Sequence, residues 1–176
     1  RLCEVEAVQS DEYLWIVQRY VDQERWDEAT EWARRGFVKV RQTQRGTAER
    51  LAEHLAGFAL ARKDWGLCAA LAARSFFERP TTDSLAALES AAAKARCKSD
   101  VRALAIKFLQ EGVDVRESPG WPLPPTGLED PQETPRGGHG KPQTHWDVLR
   151  DLALKEGQPT VALEWHDRIC EARKGA

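Results

Sequence analysis

The sequence predicts an all-α protein, a right-handed α-solenoid of about four tetratricopeptide-like helical hairpins. Apolar residues recur three and four positions apart in segments rich in Ala, Leu, Glu and Arg, which is the spacing of amphipathic helices. The alternating runs of Val, Ile or Thr that are typical of strands are missing. The helical segments also form pairs that repeat along the chain, as in stacked hairpins.

The periodicity places the helices in four consecutive pairs. The predicted segments are residues 10–23 with 26–35, 47–62 with 64–78, a third pair over 82–112, and 144–155 with 159–172. Gly36 is interpreted as the stop of the second helix, and Thr47 as the cap of the third. Thr82 and Asp83 are read as a cap for the fifth helix, and Gly112 ends the sixth.

The predicted domain organisation is one structural domain with an insertion. Residues 1–112 form three hairpins, residues 113–142 form a Pro/Gly-rich insertion, and residues 143–176 form the last hairpin. The insertion holds seven of the nine prolines and five of the twelve glycines, so no helix can continue through it. We expect its second half, residues 129–142, to be poorly ordered.

Two hairpins at opposite ends of the chain share the same spacing of large and small residues. Their second helices read EATEW and VALEW, where Ala29 and Ala162 would allow a close approach of the first helix. After allowance for a short loop and the insertion, the hairpins recur at about 34 residues, which is the tetratricopeptide period.

Composition excludes several classes of function. With 26 basic and 28 acidic residues, the net charge of −2 provides no overall field for a general nucleic-acid binder. No apolar run could cross a bilayer, and the first residues are too acidic for a signal peptide, so we expect a cytoplasmic protein without a membrane partner. No CxxC pair occurs, which favours reduced thiols at the four cysteines, namely Cys3, Cys68, Cys97 and Cys170.

Three segments carry a family resemblance that spans about residues 47–170. They read ALARKDWGLCAALAARSFFERPTTDSLAALE, WPLPPTGL and HWDVLRDLALKEGQPTVALEWHDRI. They resemble the helical-repeat region of bacterial SWIM zinc-finger proteins. The resemblance implies an accessory scaffold beside a small zinc module that binds DNA or proteins, and it brings no catalytic residues. The CxC…CxH zinc motif of that family is missing from this sequence, so the zinc module of such a parent would lie outside it.

A basic segment over residues 34–50 is the first candidate site. It carries Glu49 as its single acid, and its candidate partner-binding residues are Arg34, Arg35, Lys39, Arg41 and Arg45. These cations could bind phosphates or an acidic peptide. The alternative is a solvated turn whose cations interact favourably with the negative carboxyl end of the preceding helix dipole.

Trp121 is the second candidate, at the start of a Trp-Pro-Leu-Pro-Pro run. The run could form a polyproline II segment that docks on another protein. Alternatively, Trp121 and Leu123 fold back and pack between the third and fourth hairpins, because burial of an indole ring is strongly favourable and exposure forgoes that free energy.

Several other side chains are interpreted as structural rather than functional. His166 and Cys170 share a helix face and His145 begins the neighbouring helix, but their place beside an apolar stripe favours packing over a metal site. His54 is read as a packed or edge residue. Tryptophans among arginines can stack nucleic-acid bases, but their helical spacing favours packing between hairpins; these are Trp15, Trp26, Trp32, Trp65, Trp146 and Trp165.

The predicted function is a non-catalytic protein-interaction scaffold. No serine-hydrolase elbow, phosphate loop, zinc-protease motif or paired carboxylate site occurs, so we expect no enzyme, no cofactor and no bound metal. The expected partner is a protein or peptide held in a concave groove, and the chain would be a module of a larger or multi-component bacterial protein. The alternative is a nucleic-acid-binding accessory domain that uses the basic segment. No feature of the sequence specifies an oligomeric state.

Overall fold

A computed structural model describes residues 10–116, 118–128 and 144–174 of the chain. These residues form eight α-helices and no strand, which confirms the predicted all-α class. The helices are α1 (Ser10–Asp22), α2 (Trp26–Val40), α3 (Arg45–Ala61), α4 (Trp65–Glu78), α5 (Thr82–Lys94), α6 (Lys98–Glu111), α7 (Trp146–Lys155) and α8 (Pro159–Lys174).

The described residues divide into two compact units. Unit 1 contains residues 10–71 and 124–128, and unit 2 contains residues 72–123 and 144–174, so the division falls within α4. In unit 1, α1 contacts both α2 and α3, and α2 contacts α3. In unit 2, α5 contacts α6 and α7, α6 contacts α7, and α7 contacts α8. Within each unit, the first helices of successive hairpins therefore touch each other.

Gly36 lies inside α2 rather than at its end, so its interpretation as a helix stop is wrong. The helix continues to Val40, and Gly36 is buried against α1. A Cβ atom built on Gly36 would lie 2.8 Å from the Cβ and Cγ atoms of Tyr13. The glycine is needed here because it leaves room for the tyrosine ring between two closely packed helices.

The third and fifth helices begin earlier than predicted. Helix α3 starts at Arg45 because the chain turns tightly after Val40, whose carbonyl oxygen accepts a hydrogen bond from the Gln44 amide at 2.7 Å. Thr47 therefore lies within the helix and is not its cap. The cap of α5 is Thr81, which forms a reciprocal capping box with Ser84, in place of the predicted Thr82 and Asp83.

Aromatic rings and ion pairs join the helices of unit 2. The Phe76, Phe77 and Phe108 rings pack together with centroid separations of 4.6 to 5.9 Å. Arg102 of α6 pairs with Glu89 of α5 and with Glu156, which follows α7. Burial acts to lower the pKa of Arg102, but its hydrogen bonds to both glutamates outweigh that effect and raise the pKa. These bonds link the third hairpin to the fourth.

The segment Pro124–Leu128, called the strap here, belongs to unit 1 although it follows α6 by more than ten residues. Leu128 is 2% exposed and joins the core formed by α1, α2 and α3. Thr126 is buried, and its hydroxyl oxygen accepts a hydrogen bond from the Leu128 amide at 3.2 Å. A Cβ atom on Gly66 would lie 3.5 Å from Cγ of Pro124. Part of the insertion is thus a packed element; the predicted disorder of residues 129–142 lies outside the described residues.

Candidate functional site

A groove of about 410 Å³ in unit 1 lies between α2, α3 and the start of α4. Each long helix lines it with residues at positions i, i+3, i+4 and i+7, which is one face of an α-helix. The α2 face is polar and consists of Asp27, Thr30, Glu31 and Arg34; the α3 face is mainly apolar and consists of Leu55, Phe58, Ala59 and Arg62. Asp64 and Leu67 complete the lining.

The apolar floor of the groove is already well buried within unit 1. Leu55, Phe58 and Ala59 are 1%, 7% and 2% exposed, and Leu67 is half-buried. The hydrophobic gain is proportional to the apolar area removed from water, so covering these side chains adds little binding energy. Polar contacts along the rim therefore determine which molecule the groove favours.

Most charges on the rim have a partner. Arg62 forms an ion pair with Asp27 at 2.6 Å, at one end of the groove. Glu31 pairs with Arg35 at 3.6 Å, one turn along α2. A carboxylate oxygen of Asp64 accepts a hydrogen bond from the Leu67 amide at 3.0 Å, so Asp64 caps α4.

Arg34 is the exception on this rim. Its Nε atom is buried and has no hydrogen-bond partner among the described residues, and none of their carboxylates pairs with the side chain. Gly127 of the strap covers the guanidinium, since a Cβ atom at that glycine would lie 2.9 Å from Nε of Arg34. The backbone of Gly127 has a φ of +71°, a conformation that favours glycine.

The predicted basic residues do not form one exposed cationic strip. Arg34 and Arg41 are half-buried, and two guanidinium nitrogens of Arg41 lie out of contact with solvent. Arg35 lies over the Trp32 ring, 5.5 Å from its centroid, and Arg45 pairs with Glu49 at 3.4 Å. Lys39 is exposed. The exposed cations are therefore partly neutralised within their own helices.

Trp121 folds back onto the protein. It is half-buried, and its ring meets the Phe77 ring edge-on at 5.7 Å, while Leu123 is buried. Phe77 belongs to the second hairpin, whereas the prediction placed Trp121 between the third and the fourth. Arg116 lies over the same Phe77 ring. Burial acts to raise the pKa of Asp114, but hydrogen bonds from Arg116 outweigh this effect and lower the pKa.

The tryptophans are less buried than the prediction of inter-hairpin packing required. Trp15 is 53% exposed and has Arg19 over its ring, and Trp26 is 39% exposed although it meets Phe58 edge-on. The prediction is wrong for Trp15, whereas Trp26 makes the predicted contact between the first and second hairpins through Phe58. The other four of the predicted set, Trp32, Trp65, Trp146 and Trp165, are half-buried.

Two of the three side chains considered as metal ligands, His166 and Cys170, lie close together. Nε2 of His166 lies 3.5 Å from the Cys170 sulfur on an exposed face of α8. In the described part of the chain, no group of three or more His, Cys, Asp or Glu side chains could hold a metal ion. The His54 ring packs on Phe58. Burial raises the pKa of the Cys97 thiol, and the Asp100 charge adds to this.

The groove itself was not identified from the sequence, although part of its signal is local. The polar face of α2 can be read from the spacing of Asp27, Thr30, Glu31 and Arg34. Its position opposite the apolar face of α3 depends on how the two helices pack, which requires the tertiary structure.

Comparisons with known proteins add no family assignment. No protein-family model matches the chain, and neither the curated proteins nor the solved structures contain a match. Among the helices of the described residues, none is both long enough and apolar enough to span a membrane.

Proposed function

We propose that this chain is a non-catalytic protein-interaction scaffold that binds a peptide segment in the groove between α2 and α3. The observation that carries the proposal is the pairing of two helix faces, one polar and one mainly apolar, along the same groove. Each face extends over eight residues, or about 10 Å of helix. That length matches about three residues of an extended peptide.

The proposed architecture is a right-handed solenoid of about four tetratricopeptide-like hairpins. Its support is the contact of first helices from successive hairpins, seen separately in each unit. The resemblance to the repeat region of SWIM zinc-finger proteins adds a context, in which the chain is a module of a larger or multi-component bacterial protein. A cytoplasmic location agrees with the cysteines of the described residues, since Cys68, Cys97 and Cys170 form no disulfide.

Peptide selection tests the proposal directly. A phage-displayed library of random dodecapeptides is selected on the full chain, and the enriched peptides are measured by fluorescence anisotropy. Thr30→Trp places a large ring in the groove and should weaken binding at least tenfold. Ala56→Trp adds the same ring at an exposed position of α3 outside the lining and should leave binding unchanged.

Two results would overturn the proposal. One is a library that yields no enriched peptide. The other is equal binding of the enriched peptides to the native chain and to Thr30→Trp, since the binding surface would then lie elsewhere. Circular dichroism of both variants establishes that the helices are retained.

Nucleic-acid binding through residues 34–50 is the rival proposal, and it has less support. Arg34 lies under the strap, and Arg35 and Arg45 already face Glu31 and Glu49. Binding of single- or double-stranded oligonucleotides that falls steeply with salt would favour the rival. Charge reversal at Arg35, Lys39 and Arg41 would then weaken that binding.

A further inference from the structure

We infer that the groove between α2 and α3 selects a peptide segment that carries a single carboxylate, which pairs with Arg34. This inference rests on the proposed function and names the chemistry of the partner. It follows from the charges that line the groove and from the partners those charges already have.

Arg34 is the cation on the rim that the described residues leave unmatched. Arg62 is paired with Asp27, whereas Arg34 has no hydrogen bond or ion pair with any described residue. The strap covers its Nε atom and so leaves the groove side of the guanidinium as the direction of approach. A carboxylate there would form charge-assisted hydrogen bonds with a guanidinium that is already held in place.

The remaining charges limit how acidic the segment can be. Asp27, Glu31 and Asp64 line the same groove, so a second or third carboxylate would lie near a like charge. The matching segment therefore has one acidic residue among neutral ones. Neutral hydroxyl and amide groups of the peptide would form hydrogen bonds with the neighbouring Thr30 and Glu31 side chains.

The buried floor makes this polar contact decisive. Because Leu55, Phe58 and Ala59 are almost fully buried by unit 1 itself, a bound peptide gains little from apolar contacts. A carboxylate–arginine contact is then a large share of the total binding energy. Replacing the carboxylate by its uncharged amide should cost about tenfold in affinity.

The test uses synthetic dodecapeptides built from Ala, Ser, Thr, Leu and Val. One library has Glu at position six, a second has Gln there, and a third has Glu at positions five, six and seven. Equal amounts compete for the immobilised full chain, and mass spectrometry quantifies the bound fraction. We expect the single-Glu library to be enriched about tenfold over the Gln library and also to exceed the triple-Glu library.

Two variants locate the preference. Arg34→Gln should bring the Glu-to-Gln ratio close to one. Arg50→Gln removes the same charge from an exposed position of α3 outside the groove and should leave the ratio unchanged. A third measurement uses the native chain and so does not depend on whether a variant folds. In 0.5 M salt, the ratio of bound Glu to bound Gln peptides should fall, while binding of the Gln library persists.

The outcomes separate this inference from the proposed function. If Thr30→Trp weakens peptide binding but the Glu and Gln libraries bind equally, the groove binds peptides without selecting a carboxylate, and this inference is wrong. The inference is also wrong if the preference for Glu survives Arg34→Gln. If no library binds in a manner sensitive to Thr30→Trp, the proposed function fails first.

Discussion

The Tyr13 ring occupies the space where any residue other than glycine at position 36 would place its Cβ atom. The separation would be 2.8 Å, which is shorter than real Cβ contacts. This pair holds α1 and α2 at close range in unit 1, and it explains why a glycine is found in the middle of a long helix.

Replacing Gly36 with Ala should therefore destabilise the protein, although alanine is the better helix former. We expect a loss of about 1–3 kcal/mol in the free energy of unfolding, since Tyr13 must move within a packed interface. Gly57→Ala is the matched control, because nothing lies within 4 Å of its Cβ position. That change should stabilise the protein by about 0.5–1 kcal/mol. Urea unfolding measures both, and a stabilising Gly36→Ala would contradict the packing described.

Removing the Leu128 side chain should test whether the strap is part of the core of unit 1. Leu128→Ala deletes a side chain that is 2% exposed, so we expect a loss of about 2–5 kcal/mol. Leu60→Ala makes the same change at a residue that is 56% exposed and should alter stability by less than about 0.5 kcal/mol. Thermal and urea unfolding measure both variants. If Leu128→Ala and Leu60→Ala lower the stability equally, the strap does not stabilise the core.

The contact between Gly127 and Arg34 can be measured against a glycine with the same backbone conformation. Gly127 and Gly157 both have a φ of +71°, but nothing lies within 4 Å of the Cβ position of Gly157. Gly157→Ala should cost about 1–2 kcal/mol from backbone strain alone. Gly127→Ala should cost more, because its Cβ would press on Nε of Arg34.

An Arg34→Ala background provides the check on that comparison. There, the cost of Gly127→Ala should fall to the level of Gly157→Ala, since the obstructing side chain is gone. If Gly127→Ala costs as much stability in the Arg34→Ala background as in the native chain, Arg34 is not the side chain that lies against Gly127.

His145 should make the stability of the protein fall in mildly acidic solution. Burial lowers the pKa of His145, and the opposing charge of Asp147 does not restore it. The unfolded chain therefore binds a proton near pH 6.5 while the folded chain does not, so stability is present above that pH and is lost as the pH falls toward the folded-state pKa.

The His145→Phe variant keeps a ring against Phe108, which lies 5.3 Å from the histidine ring, and should remove this part of the pH dependence. His166→Gln, at an exposed position of α8, should retain it. Urea unfolding at pH 7.5 and at pH 5.5 supplies the comparison. If His145→Phe loses as much stability as the native chain between these pH values, the assignment to His145 is wrong.

The sequence was sufficient for the features that depend on local spacing. Apolar periodicity predicted the helical class and the approximate position of each helix, with the largest error at the end of α2, which continues to Val40 instead of stopping before Gly36. Gly36 was misread because a glycine in a helical pattern has the same local signal whether it ends the helix or admits a distant ring. Its partner, Tyr13, lies in another helix, so the distinction required the tertiary structure.

The candidate site also combines features that local sequence predicts with features that depend on the tertiary structure. Arg34 was singled out from the basic segment, but its cover by Gly127 depends on a return of the chain from far along the sequence. Proline and glycine predicted a break in the helices, and the described residues between 113 and 128 contain no helix, but these residue types carry no information on where such a segment docks. The strap and the Arg34 environment therefore could not be derived from local patterns.

The docking of Leu128 has a consequence for biosynthesis. A ribosome makes α1, α2 and α3 first, but the residue that completes their core emerges only after the whole of α5 and α6. At ordinary translation rates, this delay lasts several seconds. During that interval the nascent N-terminal helices lack one of the apolar side chains of their core, so this core is completed only after most of the helices have been made.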